Sequence, residues 1–352
     1  MCKHPDFVFE RIPAPLISWY EANKRDLPWR KNPTPYRVWV SEIMLQQTRV
    51  EAVKAYYLRF MEALPTVEDL AFCEEERLLK LWEGLGYYSR VRNMQKAAKQ
   101  LVLYYDGEFP STKEELMKLP GIGSYTAGAI ASIAFGQKTA AVDGNVFRVI
   151  GRLSEDKTPI SEPSYRKYLE ERLSNIYPDG KENCSAFTQS LFELGATVCT
   201  PKNPSCGICP LAHLCRAKKN GTQNEFPVMK EKKEKRFESV YIFLIQTPTG
   251  FCIRRRERGV LRGMNEFPSR VAQNGESVEN ILNEWGVYEF TEKKRKKYKH
   301  IFTHIVWDIT CIWLQTESAE FDSYALDEIE ESISLPTAFK QCLSILDEGE
   351  KV

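Results

Sequence analysis

Residues 199–215 read CTPKNPSCGICPLAHLC, which places four cysteines in one short loop. The spacing is C-x6-C-x2-C-x5-C, and the cysteines are Cys199, Cys206, Cys209 and Cys215. Four thiolates this close in sequence can converge on one metal centre, and thiolate-only ligation suits an iron–sulfur cluster or zinc. Structural zinc sites usually pair two C-x2-C hooks across a longer loop, so a single compact loop favours a [4Fe–4S] cluster. Zinc remains the alternative, in which His213 could replace one cysteine.

The remaining composition indicates an intracellular protein. The other cysteines stand singly, without the spacing of a disulfide framework, which points to a reducing compartment. The sequence has no apolar run typical of a signal peptide and none long enough to span a membrane. We therefore expect a monomer in the cytoplasm or nucleoid of a bacterial-type cell.

Two short runs are rich in basic residues, although the net charge of the chain is only +1. Lys230–Arg236 reads KEKKEKR and is typical of a solvated linker, because glutamates dilute its charge. Lys293–Lys299 reads KKRKKYK and contains no acid. The second run predicts a contact with phosphates, although a solvated hairpin loop would have a similar composition.

The hydrophobic periodicity changes near residue 220, which predicts two domains. Apolar residues recur at helical spacing in the segments Trp39–Ala55, Glu75–Trp82 and Val91–Tyr105. Later runs read as strands, at Val240–Thr247, Phe251–Arg254, Tyr298–Thr303 and Ile305–Leu314. The sequence therefore predicts an all-α domain over 1–218, a linker over 219–236 and a smaller α/β domain over 237–352.

The stretch Leu119–Thr126, LPGIGSYT, predicts a tight hairpin between two helices. The first helix is expected over about 113–119, and the second begins near Ser124. Gly121 and Gly123 let the backbone approach a ligand, and the second helix points free N–H groups outward. Such a turn can hold a phosphate without reading a base, although an ordinary interhelical turn has the same pattern.

Two acidic residues are predicted to lie in different environments. Asp143 precedes an apolar helical pattern that starts at Val146, so it is expected to cap that helix, with a lowered pKa. Glu42 lies in a mostly apolar helical stretch, where partial burial would raise its pKa. Taken alone, Asp143 would be explained as a helix cap, and Glu42 as a residue on the polar face of its helix. Together they match the usual pattern of glycosidic bond cleavage, in which environment separates the pKa values of two carboxylates.

Several long runs resemble the adenine DNA glycosylases of the MutY family, within the endonuclease III-like helix-hairpin-helix superfamily. The matching runs are LPWR (27–30), WVSEIMLQQTRV (39–50), WEGLGYYSR (82–90), the hairpin, VDGN (142–145) and the cysteine loop. The resemblance implies a six-helix subdomain over about 23–134 and a cluster subdomain from about 1–22 plus 135–218. It also implies excision of adenine opposite 8-oxoguanine, or more weakly guanine, from double-stranded DNA in base excision repair.

The same resemblance implies roles for individual residues. The adenosine would be flipped out of the duplex, and Glu42 would protonate N7 of adenine. Asp143 would stabilise the cation at C1′, through a transient covalent adduct, while Asn145 and Tyr125 orient Asp143 and line the pocket. Bifunctional endonuclease III-like enzymes carry a Schiff-base lysine at the position of Tyr125. Because tyrosine cannot form an imine, a monofunctional glycosylase is expected.

The implied DNA contacts involve several further side chains. Gln47 and Tyr87 would wedge into the base stack, and the hairpin glycines Gly121 and Gly123, together with Arg30, would contact DNA. Close to the cysteine loop, the residues expected to face phosphates are Lys202, Arg216 and Lys218.

The C-terminal domain resembles the Nudix-like lesion-recognition domain of the MutY family. Residues 276–286 lack the R-E-x-x-E-E helix that holds magnesium in a Nudix hydrolase, which argues against a pyrophosphatase. Phe302, Thr303 and His304 lie where the family carries a Phe-Ser-His loop that contacts 8-oxoguanine. Two alternatives remain: a catalytically silent lesion-binding protein, or an endonuclease III-like glycosylase of different base specificity. The presence of both Glu42 and Asp143 favours the enzyme.

Overall fold

The computed structural model describes residues 6–230, 234–273 and 275–346, so part of the predicted linker, at 231–233, lies outside the described residues. The chain forms two compact units. The first comprises the described residues of Met1–Phe72 and Arg92–Glu231, and the second those of Cys73–Val91 and Lys232–Val352. Residues 73–91 lie within the helical domain predicted over 1–218, yet they pack with the C-terminal unit.

Helices dominate the first two thirds of the chain. They are α1 (Pro13–Asn23), α2 (Pro35–Leu45), α3 (Val50–Ala63), α4 (Val67–Phe72), α5 (Glu75–Leu81), α6 (Ser89–Tyr105), α7 (Lys113–Leu116), α8 (Ser124–Ile133), α9 (Gly144–Ser154), α10 (Pro163–Ser174), α11 (Lys181–Thr197) and α12 (Arg216–Asn220). Helix α5 belongs to the second unit, and most of the others form the first. Within the described part of the chain, no helix combines the length and the apolarity that a membrane crossing requires.

The continuous helical pattern predicted over Trp39–Ala55 is wrong, because the chain turns between α2 and α3. Gln46 leaves the helical conformation, and Gln47 adopts φ 60°, in the left-handed region. The amide of Thr48 donates to the carbonyl of Leu45 and closes the turn. The predicted helix over 113–119 also ends early, at Leu116, where i to i+3 hydrogen bonds tighten the chain before the hairpin.

The hydrophobic core beside the cysteine loop joins segments from distant parts of the first unit. Phe9, Ile12 and Leu16 pack with buried residues of α9, α10 and α11. The partly buried Cys199, Cys209 and Cys215 pack against the same core, which includes Leu211 from inside the loop. The cysteine loop is therefore held on the helix that begins at the predicted catalytic aspartate.

The second unit contains a mixed sheet with helices on both faces. Its strands are β1 (Arg236–Thr247), β2 (Gly250–Arg255), β3 (Asn265–Glu266), β4 (Ser269–Val271), β5 (Thr291–Ile301), β6 (Ile305–Gln315) and β7 (Asp322–Tyr324). The order is β3-β2-β1-β6-β5, with β1 parallel to β6 and the other pairs antiparallel. Helix α13 (Val278–Glu284) packs on one face, and α14 (Leu326–Glu331) with α15 (Thr337–Lys340) on the other. The predicted fold class, helical followed by α/β, is confirmed.

The basic run Lys293–Lys299 lies within strand β5, at the end of the strand order, and is not a hairpin loop. Alternate residues are exposed, which places Lys297 and Lys299 on one face and Lys296 on the other. Strand β5 starts earlier than the strand predicted over Tyr298–Thr303 and ends at Ile301. Phe302 and Thr303 consequently lie in the turn between β5 and β6.

Candidate active site

Glu42 is a buried carboxyl group on the apolar helix α2, with 5% of its surface exposed. The hydroxyl of Tyr125, in the first turn of α8, donates a hydrogen bond to Glu42 Oε2. The pKa of Glu42 rises from 4.5 to about 7, mainly because of burial; the Tyr125 hydrogen bond opposes this rise and the charge of Asp143 contributes to it. The predicted rise is confirmed, and Glu42 can hold a proton near neutral pH. The expected partner of Tyr125 was Asp143, whereas its hydroxyl bonds Glu42.

Asp143 is the N-cap of α9, as predicted. Its Oδ1 accepts a hydrogen bond of 2.8 Å from the amide of Val146, and its Oδ2 accepts one of 2.7 Å from Asn145 Nδ2. Asn145 therefore orients Asp143 as expected. The prediction of a lowered pKa is wrong, because burial raises the pKa of Asp143 above 3.8 and outweighs both capping hydrogen bonds.

Glu42 and Asp143 line one cavity of about 600 Å³, within the usual size range of small-ligand sites. The cavity also contacts Tyr125, Asn145 and Gln47. Its walls mix apolar and charged groups, including Leu27, Val38, Leu45, Ile133, Phe192, Arg25, Arg166 and Glu193. All of these residues belong to the first unit. The cavity thus brings together the predicted catalytic residues and two predicted DNA-binding residues, Gln47 and Arg30.

Arg30 also lines this cavity, but its guanidinium is engaged by a buried acid. Arg30 Nη2 lies 2.8 Å from Glu193 Oε2, and Arg25 Nε lies 2.7 Å from Glu193 Oε1. Burial alone would raise the pKa of Glu193, but hydrogen bonds and charges from Arg25 and Arg30 outweigh it and hold the pKa at about 2. The side chain of Arg30 is 13% exposed. Its contact with DNA stays a prediction, while its observed role is to fix the cavity wall.

Two buried arginines on α9 connect the catalytic aspartate to the cysteine loop, and the sequence reasoning missed both. Arg148 Nη2 donates to Asn145 Oδ1 at 2.7 Å, and Arg148 Nε donates to the carbonyl of Cys199 at 2.7 Å. Arg152 Nη1 contacts Cys199 Sγ at 3.4 Å and the carbonyl of Thr200 at 2.8 Å. The sequence contains an indication of this role, because two arginines four residues apart on the apolar face of a helix require buried partners.

The four cysteines line one small cavity with Leu194, Val198 and Leu211, and they are unpaired by disulfides. Among the described residues, no three His, Cys, Asp or Glu side chains form a single-ion site. The pKa of Cys209 rises to about 11, mainly because of burial and with a smaller contribution from the three other thiols. Four thiolates in this apolar pocket require positive charge between them, which fits an iron–sulfur cluster.

Of the basic residues expected to face phosphates near this loop, Lys202 and Lys218 are exposed. Arg216 instead turns inward: its guanidinium donates to the carbonyls of Asp6 and Ser154 and stacks over Phe7. The prediction for Arg216 is therefore wrong, because its guanidinium is bonded to the N-terminal segment.

The hairpin between α7 and α8 has the predicted backbone. Gly121 adopts φ +78°, and a Cβ there would lie 2.7 Å from Asn93 Cβ, so a side chain is excluded on both grounds. Gly123 is the N-cap of α8 and has open space around its Cα. The start of α8 is therefore accessible to a ligand backbone, and the phosphate contact stays a prediction.

In the second unit, the hydroxyl of Tyr87 lies 2.6 Å from Thr303 Oγ1. Tyr87 is 47% exposed and adopts φ 49°, in the left-handed region that non-glycine residues rarely occupy. Phe302 packs edge-on against His300 and Trp307, which holds the turn in place, and His304 is exposed. The structure therefore brings together two predicted DNA-contacting residues that are 216 positions apart.

Comparison with known families agrees with this architecture. Residues 40–175 match a family described as HhH-GPD superfamily base excision DNA repair protein. Residues 199–215 match the iron–sulfur binding domain of endonuclease III, and residues 240–344 match the NUDIX domain. The fold and site thus define a helix-hairpin-helix base excision repair protein. The predicted [4Fe–4S] cofactor is confirmed by the match over the cysteine loop.

Similarity to individual proteins shows which family within this superfamily the chain belongs to. Adenine DNA glycosylase of Buchnera aphidicola subsp. Baizongia pistaciae is 35% identical over 85% of this chain and 84% of the relative. The Arabidopsis thaliana and human adenine DNA glycosylases are 37% and 45% identical over 84% and 60% of this chain. The chain belongs to the adenine DNA glycosylase family. It spans 56% of the Arabidopsis relative and 40% of the human one.

Solved structures resemble the helical part. A thermostable thymine-DNA glycosylase is 28% identical with a TM-score of 0.54, over 60% of this chain and 97% of that structure. Endonuclease III in a non-covalent complex with DNA is 29% identical with a TM-score of 0.51, over 62% of this chain and all of that structure.

Proposed function

We propose that the protein is a monofunctional DNA glycosylase that removes adenine mispaired with 8-oxoguanine or guanine from duplex DNA, as a step of base excision repair. The observation that carries the proposal is the pairing of Glu42 and Asp143 in one cavity, with a pKa of about 7 for Glu42. Cleavage of a glycosidic bond needs an acid that keeps its proton near neutral pH and a carboxylate near the sugar. Family membership supplies adenine as the base.

The reaction begins with the flipped adenosine in the cavity. Glu42 donates its proton to N7 of adenine, and the electron pair of the N9–C1′ bond leaves with the base. The carboxylate of Asp143 neutralises the cation at C1′ and forms a transient bond to it. Water then attacks C1′ and transfers a proton to the Glu42 carboxylate, while Asp143 departs as a carboxylate. An abasic site remains in an intact strand.

The contacts around each carboxylate support these separate roles. Asn145 and the amide of Val146 hold Asp143 at the start of α9, and their hydrogen bonds favour its charged form and oppose the rise in pKa that burial causes. Glu42 is buried on the largely apolar helix α2, and this burial favours its protonated form. We therefore assign Glu42 the role of the acid and Asp143 the role of the ionised carboxylate.

Tyr125 supports the monofunctional assignment. A bifunctional glycosylase needs an amine that forms an imine at C1′ before the strand is cut, and a tyrosine hydroxyl cannot form one. Here the hydroxyl is buried and bonds Glu42, so it modulates the acid. In an N-glycosidic hydrolysis no electrons are transferred, so the contribution of the cysteine loop is to hold α9 through Arg148 and Arg152.

Duplex DNA is the proposed partner, and the second unit is the proposed reader of the lesion. Tyr87, Phe302, Thr303 and His304 would face the base opposite adenine. Thr303 keeps the hydroxyl of the family serine and adds a methyl group, which we expect to change lesion selectivity by a modest factor. A silent lesion-binding protein would have no use for a buried, protonatable Glu42 beside Asp143.

The test incubates purified protein with a duplex that carries adenine opposite 8-oxoguanine, and each sample is divided before analysis, with and without alkali. We expect release of adenine, and strand breaks only after alkali. Absence of adenine release would refute the activity. Strand breaks without alkali, at the rate of base loss, would refute the monofunctional assignment.

A further inference from the structure

The segment Cys73–Val91 is structurally part of the C-terminal unit, although about 140 residues of chain separate the two in sequence. It contains α5 and the loop that carries Tyr87. Among its polar side chains, Glu76 accepts three hydrogen bonds from the C-terminal domain. The position of Tyr87 relative to Thr303 therefore depends on how α5 is anchored.

Glu76 receives hydrogen bonds from three parts of the C-terminal domain. Its Oε1 accepts 2.6 Å and 3.0 Å bonds from Asn265 Nδ2 and the amide of Ser334, and its Oε2 accepts a 2.8 Å bond from Arg255 Nη2. Asn265 and Ser334 are buried, so their donors would lose a partner if the carboxylate were removed. One carboxylate thus joins β2, β3 and the segment between α14 and α15 to α5.

The C-terminal end of α5 is held by a positively charged side chain, Lys80, whereas Glu76 nearer its start is negatively charged. Lys80 Nζ donates to the carbonyl of Ile333 at 2.9 Å and contacts that of Ile329 at 3.4 Å, so it caps α14. Glu83 lies 3.0 Å from Lys80 and also pairs with Lys340 of α15. Contacts about one helical turn apart, at Glu76 and Lys80, set both the position and the rotation of α5.

The loop that follows α5 transmits this position to Tyr87. Arg90 donates to the carbonyls of Leu85 and Gly86 at 3.1 Å and stacks over the rings of Trp82 and Tyr87. Trp82 Nε1 donates to the carbonyl of Gly86 at 3.1 Å. A loop held this closely cannot correct for a shift of α5, so Tyr87 moves with the helix.

We propose that Glu76 is a positioning residue that aligns Tyr87 with Thr303, and that this alignment determines the preference for 8-oxoguanine over guanine opposite adenine. The inference rests on the proposed function. The cavity that contains Glu42 and Asp143 is lined by the first unit, so loss of the alignment should leave excision itself intact. Glu76 contacts neither DNA nor reacting atoms in this scheme and acts through Tyr87.

The test compares single-turnover excision of adenine opposite 8-oxoguanine and opposite guanine, at saturating full-length protein. Glu76→Ala removes all three hydrogen bonds to the carboxylate. The ratio of the two rates should fall about tenfold, the effect expected if misalignment of Tyr87 and Thr303 costs one hydrogen bond at the lesion. Glu76→Gln keeps an acceptor for the buried donors but loses the charge facing Arg255, so a smaller fall is expected. The exposed Glu74, on the same segment, provides the control Glu74→Ala, which should keep the wild-type ratio.

An unchanged ratio, or equal loss of both rates, in Glu76→Ala would overturn the inference while leaving the proposed function intact. Inactive wild-type protein on both duplexes would instead overturn the proposed function. Should Glu76→Ala fail to fold, Arg255→Gln decides. Arg255 is half-exposed, and the substitution removes its bonds to Glu76 and to the carbonyl of Gly263, so the ratio must fall in the same direction. A wild-type ratio in folded Arg255→Gln and Glu76→Gln would contradict the proposal.

Discussion

Replacing Glu42 by glutamine should make the protein more stable, increasingly so as the pH rises. Burial raises the folded-state pKa of Glu42 to about 7, against 4.5 for an exposed glutamate. Between these values the folded protein keeps a proton that the unfolded chain has released. The contribution of this proton to stability is complete below pH 4.5 and is lost as the pH rises through about 7.

The size of the effect follows from the interval between the two pKa values. From 4.5 to about 7, at 1.36 kcal/mol per pH unit, the free energy of unfolding should fall by about 3 kcal/mol because of Glu42 alone. Glu42→Gln removes this dependence, and the amide oxygen can still accept the hydrogen bond from Tyr125. The stability difference between variant and wild type should therefore grow in favour of the variant by about 3 kcal/mol over the same interval.

Equilibrium unfolding in urea, followed at several pH values from about 4.5 to about 8, measures this difference directly. Contributions from titrating groups that do not interact with Glu42 cancel in the comparison. The control is Glu62→Gln, which removes an exposed carboxylate from α3. A difference that stays constant with pH, or that grows equally in both variants, would refute the assignment of a protonated, buried Glu42.

Three further outcomes are expected. Tyr125→Phe removes a hydrogen bond that lowers the pKa of Glu42, so the alkaline limb of the excision rate profile should move to higher pH; an unmoved limb would contradict the contact. Lys297→Gln should reduce the slope of log affinity for duplex DNA against log salt by about 1, whereas Lys296→Gln, on the opposite face of β5, should leave it unchanged. Cys206→Ser should abolish the visible absorbance of the bound cluster and lower the thermal midpoint; full absorbance in the variant would exclude Cys206 as a ligand.

Local signals in the sequence were sufficient for much of the architecture. The spacing of the cysteines, the glycines of the hairpin and the capping position of Asp143 each constrain a few neighbouring residues, and all three appear in the structure as expected. The switch from helical to strand periodicity located the change of fold class near residue 220. Such features depend on backbone geometry and on contacts only a few residues apart.

Features that depend on packing between distant segments were not predictable. The direction of the Asp143 pKa shift was wrong, because capping is visible in the sequence and desolvation by the folded protein is not. The bond between Tyr125 and Glu42 spans 83 positions, and the pairing of Arg30 with Glu193 spans 163. The attachment of α5 to the C-terminal unit through Glu76 was also not predictable, because nothing near Glu76 in the sequence identifies its partners.

Asp143→Asn decides whether Glu42 and Asp143 carry out excision. Asparagine is also a good N-cap, so α9 should still form. Single-turnover release of adenine opposite 8-oxoguanine and binding to the same duplex are measured together. We expect the variant to bind with nearly wild-type affinity and to release no adenine. Excision at close to the wild-type rate by folded Asp143→Asn would contradict these roles.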